Sequence, residues 1–166
     1  MIPEDVRERA RQVLEVAKQH LIRDGVLAPV GMVIEADGTT TVMGLAFREH
    51  REKRRAFDAL CALAGRRAAR AVITVMDVRY ATHQHPGTVP RRFRPGEIAD
   101  HPEQPEAVLV AARAADGTSM ALMLPYSWQG EAIRFGDLRE VEDYEDNLLR
   151  PWQGVTHKRR KVSENK

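Results

Sequence analysis

Val108-Leu109-Val110-Ala111-Ala112-Arg113-Ala114-Ala115-Asp116-Gly117-Thr118-Ser119-Met120-Ala121-Leu122-Met123-Leu124 sets two apolar runs on either side of an Asp-Gly pair. The second run alternates cleanly, placing Met120, Leu122 and Leu124 on one face of a strand. Asp-Gly between two such runs is the strongest short-range sign of a β-hairpin, because both turn positions tolerate positive φ. The fold must therefore contain antiparallel sheet, and the rest of the chain can be read against that.

Upstream the same device recurs. Val30, Met32 and Ile34 precede Ala36-Asp37-Gly38-Thr39, and Val42, Met43, Leu45 and Phe47 follow it. The shared Ala-Asp-Gly-Thr reads as one turn chemistry used twice. Ahead of this hairpin, Val6, Ala10, Val13, Leu14, Ala17 and Leu21 recur with the period of an amphipathic helix over Pro3 to Arg23. Pro3, Glu4 and Asp5 suit its start, and Gly25 supplies a left-handed stop. A second helix is expected over about Arg48 to Arg70, with Phe57, Leu60, Cys61 and Ala64 on its apolar stripe. The run Ala71 to Val78 that follows is almost unbroken in apolar residues, as in a central strand covered on both faces. A last strand is expected at Ala132 to Phe135, and the acidic stretch from Glu140 to Asp146 as a short helix or irregular cover.

The order is thus α-β-β-α-β-loop-β-β-β. It describes an α+β fold: a single, mainly antiparallel sheet of about five or six strands with two Asp-Gly hairpins, packed by two amphipathic helices. The passage from residue 39 to 78 allows one parallel pair through a crossover. At 166 residues, one sizeable core is affordable and two large independent domains are excluded. Residues 1–155 are read as one globular domain with a proline-rich loop at 81–106, and 156–166 as a basic, disordered tail.

Charge separates the same way. Residues 1–150 carry 21 Lys and Arg against 23 Asp and Glu, whereas residues 151–166 carry 5 against 1. The basic excess belongs to the tail, so the body lacks the whole-surface footprint of a nucleic-acid binder. No apolar run approaches the roughly 20 residues that span a bilayer, and the opening residues do not form a secretory leader. A cytoplasmic location with no membrane partner is expected. Cys61 is the single cysteine and falls on a buried stripe, so it reads as a small core hydrophobe. Motifs for a P-loop, a Rossmann turn, a serine-hydrolase elbow or a zincin helix are lacking.

Chemistry is concentrated in the loop at 81–106, which holds five prolines and three of the six histidines. His83 and His85, two residues apart in extended backbone, share a face; with Asp100 they would supply three ligands to a zinc that also holds a water. His83-Gln84-His85-Pro86 resembles the His-x-His-Pro motif of the JAMM/MPN metalloproteases and deubiquitinases. The resemblance covers little more than residues 83 to 100. It implies a zinc hydrolase with Asp100 as third ligand and Glu35 as the candidate upstream general base. Glu97 stands where that family has Ser, and the gap from His85 to Asp100 is longer than usual.

A second functional reading uses Arg91, Arg92, Phe93 and Arg94, with Lys158, Arg159, Arg160 and Lys161 of the tail, as phosphate and base contacts of a nucleic-acid accessory protein. The reading placed first is a non-catalytic module without a cofactor. It would act through a protein partner or as a homo-oligomer, using the proline-rich loop or an exposed sheet edge as contact surface. Zinc is the cofactor of the hydrolase alternative alone.

Overall fold

In the computed structural model, which describes residues 1–79 and 105–152, the chain forms α1 (Glu4–Asp24), β1 (Val30–Ile34), β2 (Thr40–Gly44), α2 (His50–Arg66), β3 (Ala71–Arg79), β4 (Glu106–Ala114), β5 (Ser119–Gln129), β6 (Ala132–Phe135) and β7 (Arg139–Glu142). The seven strands make one antiparallel sheet in the order β2-β1-β3-β4-β5-β6, with β7 also on β5. This is the α+β arrangement expected, with one strand more. β7 arises from the acidic stretch expected as a helix or irregular cover, and β4 starts at Glu106, inside the stretch expected as loop.

Both Asp-Gly turns form hairpins, but by a different geometry from the one expected. The amide of Gly38 donates to the carbonyl of Glu35 at 3.0 Å, and that of Gly117 to Ala114 at 3.0 Å. Only the glycines are left-handed, with φ of 89° at Gly38 and 91° at Gly117. Each loop is therefore a type I turn followed by a left-handed glycine. The aspartate serves through its side chain: Asp37 Oδ1 accepts the Thr39 amide at 2.8 Å, and Asp116 Oδ1 accepts the Thr118 amide at 2.9 Å.

No parallel pair forms among the described residues. β2 and β3 run in the same direction, but β1 lies between them, with Val33 opposite Thr41 on one side and Val72 on the other. The crossover through α2 thus skips a strand. α2 is also shorter than expected. Ala68 turns left-handed at φ 48°, and the amides of Ala68 and Ala69 return to Gly65 and Ala64 at 3.2 and 2.9 Å, closing the helix with a Schellman motif.

Pro125 sits in the middle of β5 without breaking it. Its carbonyl accepts the Gly136 amide at 2.8 Å. The N–H and C=O of one strand residue face the same edge, so the donor that proline lacks would also have faced that side. There β6 has ended and β7 has not begun, and no ladder bond is lost.

The two faces of the sheet carry separate cores. Ile73, Val75, Val108, Val110, Met120 and Leu122 meet the α1 stripe on one side. Val72, Met76, Leu109 and Met123 meet Phe57, Leu60, Cys61 and Ala64 of α2, together with Leu149 and Trp152, on the other. The α1 stripe is buried as expected, and one charged residue joins it. Arg7 is only 6% exposed and pairs with Glu140 and Glu142 of β7.

Candidate functional site

α1 lies over β3, β4 and β5. The β1–β2 hairpin projects beyond that cover. On the α1 side it presents Val30, Met32 and Val42, which face Val13 and Val16 of the helix across an open groove of about 400 Å³. The lining is mostly apolar, and exposed Arg9, Gln12 and His20 supply the polar groups. Val16 is 57% and Val42 59% exposed. Scattered valines in water need no explanation, but here two of them stand in one groove.

β2 bounds this groove and is the last strand on its side of the sheet. The ladder fixes which of its backbone groups face out. Glu35 donates to Thr39 at 2.9 Å and Leu45 donates to Pro29 at 2.9 Å, so these are hydrogen-bonded pairs of β1 with β2. Alternation then makes Gly31 with Met43 and Val33 with Thr41 the bonded pairs within the strands. Thr40, Val42 and Gly44 consequently turn their amides and carbonyls to the free edge. Their backbone groups meet no partner there among the described residues.

Edge strands usually carry charge, proline or a bulge that blunts further pairing. The opposite margin does: β6 has Arg134, and β7 has Arg139, Glu140 and Glu142. β2 reads Thr-Thr-Val-Met-Gly, with neither charge nor proline and three β-branched residues. One margin of the sheet is protected and the other is open.

At the end of the sheet where β3 leads into residue 80, a polar and aromatic cluster forms. The Tyr126 hydroxyl donates to Asp77 Oδ1 at 2.7 Å. Trp128 and Phe135 lie edge-on to the Tyr126 ring at 6.5 and 6.4 Å, and Lys18 Nζ is 5.2 Å from the centre of the Phe135 ring. Loss of water around the Asp77 carboxyl pushes its pKa up, and the Tyr126 bond partly offsets this; burial and the same bond push the Tyr126 phenol up. Asp77 thus accepts a hydrogen bond near a strand end. A carboxyl and a phenol that hold each other are a cross-strand strut.

The residues singled out for chemistry fall elsewhere. His83, His85, Asp100, Arg91, Arg92, Phe93, Arg94, Lys158, Arg159, Arg160 and Lys161 all lie outside the described residues. Among the described residues, no three His, Cys, Asp or Glu side chains gather to hold a metal ion. Glu35 follows β1 where Ile34 pairs with Ala71, at the start of β3, whereas the histidine-bearing segment departs after Arg79 at its far end. Those two points are roughly 26 Å apart along the strand. Cys61 is buried, and burial pushes its thiol up to about 11, which suits a core residue and not a nucleophile. Glu140 and Glu142 are engaged by Arg7. No helix among the described residues is long and apolar enough to cross a membrane.

The sequence shows Thr40 to Gly44 to be uncharged, a property it shares with Val30 to Ile34 and Ser119 to Gln129. What it withheld was strand order, without which no strand can be identified as an edge. Comparisons of the chain with models of protein families, with curated proteins and with solved structures find no match.

Proposed function

We propose that the protein is a non-catalytic interaction module that takes up an extended chain at the free edge of β2. One observation carries this reading: an uncharged, proline-free edge strand directs the backbone groups of Thr40, Val42 and Gly44 outward beside an apolar groove. Strand addition draws its affinity from main-chain hydrogen bonds and its selectivity from alternate side chains. Here Val42 and Met32 mark the face on which an added strand would find apolar surroundings.

The test is native mass spectrometry on the gently isolated full chain, wild type beside Val42→Pro. The Val42 amide points away from β1, so proline at this position removes an outward donor without removing a ladder bond. Wild type is expected in an assembly, with itself or with another chain, that Val42→Pro loses while its far-UV circular dichroism is unchanged. Identical assemblies for the two proteins would sink the reading.

A further inference from the structure

We infer that the chain taken up at β2 is the β2 strand of a second copy, paired antiparallel about a two-fold axis through Val42. This rests on the edge-binding reading above and names its partner. In that register Val42 faces Val42 of the other copy, Thr40 faces Gly44, and Thr41 faces Met43. The residues with outward backbone groups, Thr40, Val42 and Gly44, then meet one another in hydrogen-bonded pairs.

Two observations favour a second copy as occupant. The strand is uncharged, so placing it against itself brings no like charges into opposition. Lastly, a two-fold perpendicular to the sheet keeps both α1 helices on one face. The two grooves then join into a single trough, with both copies of Val42 at its centre and Val16 on either wall. Each exposed Val42 side chain is thereby covered by that of the other copy.

Sedimentation of the full chain across a wide concentration range tests the inference. Wild type is expected to approach twice 18.7 kDa. Val42→Pro and Val42→Lys should each weaken dimerisation at least tenfold while retaining the wild-type circular dichroism. A disulfide adds positional proof. A hydrogen-bonded antiparallel pair sets its Cα atoms about 5.5 Å apart, within disulfide reach, so Val42→Cys should cross-link to a dimer under mild oxidation. Thr40→Cys should not, because the two copies of residue 40 would stand roughly 13 Å apart. Cys61 is buried with its thiol pushed up to about 11 and stays out of the reaction.

A monomer at every concentration, or a dimer that survives Val42→Pro and leaves Val42→Cys uncross-linked, overturns the inference. If wild type is a monomer yet holds a different chain that Val42→Pro releases, the second copy is the wrong occupant and edge binding stands. If Val42→Pro changes no assembly at all, both fall.

Discussion

Gly31 is the point at which β1 admits α2. A Cβ there would lie 2.7 and 2.8 Å from the two methyl carbons of Leu60, and Leu60 is fully buried, so it has little space into which to swing. Gly31→Ala is therefore expected to destabilise the protein by about 1–3 kcal/mol through overpacking, read from urea unfolding with an unchanged slope. A cost within a few tenths of a kcal/mol would mean that Leu60 repacks freely. Ala68 poses the opposite case. It closes α2 in the left-handed region, at φ 48°, where a Cβ is unfavourable by about 1–2 kcal/mol. Part of that gain is returned by the greater freedom of an unfolded glycine. Ala68→Gly should accordingly raise stability by about 0.5–1 kcal/mol in the same urea experiment, and a loss would show that the alanine methyl makes contacts worth more than the strain.

At the scale of elements, β7 is the strand most dependent on a side chain. It has four residues, pairs with β5 alone among the described residues, and holds Glu140 and Glu142 toward α1. Arg7 reaches both carboxylates from the buried stripe of the helix, Glu142 at 2.5 Å, and Arg11 assists at Glu140 at 3.4 Å. Arg7→Met keeps the helix and much of the volume but leaves two acids without their fork-shaped partner. Amide exchange over residues 139–142 should then quicken while β3 and β4 keep their protection; unchanged exchange in β7 would show that its ladder alone suffices. This strand also marks the limit of reading the sequence. The α1 stripe, the two hairpins, the run at Ala71 and the strand at Ala132 were legible because each is written in local periodicity and turn chemistry. Arg7 was not, since Glu140 is 133 positions away. The alternation of Glu140, Val141 and Glu142 was a strand signal that the acidic composition obscured. The open edge was legible as composition at Thr40 to Gly44 but not as a position, because β1 inserts between β2 and β3 by a pairing that no local pattern encodes. The histidines and arginines that drew attention in the sequence lie outside the described residues, so the architecture neither gathers nor separates them.

Across the whole molecule, the sheet is closed on its two faces by different means. α1, with 21 residues, suffices for one face, whereas α2, with 17, leaves part of the other to the segment that follows β7. Leu149 is fully buried and Trp152 is 4% exposed in that core, which also holds Ala107, Ala121, Leu109 and Met123. The Cys61 thiol donates to the Leu148 carbonyl at 3.6 Å, and the Trp152 amide to Leu149 at 3.0 Å, so the segment is tied both to α2 and to itself. Its release would return the alanines, Leu109 and Met123 to water, which makes docking part of the global fold and not a late embellishment. Leu149→Ala is expected to cost about 2–5 kcal/mol. Trp152 provides the reporter. Its buried indole should emit to the blue of the more exposed Trp128, and on urea titration of Leu149→Ala its shift to the red should coincide with loss of far-UV circular dichroism. A red shift at clearly lower urea, with the dichroism still native, would show instead that the segment unlatches by itself and that α1 and α2 alone hold the sheet.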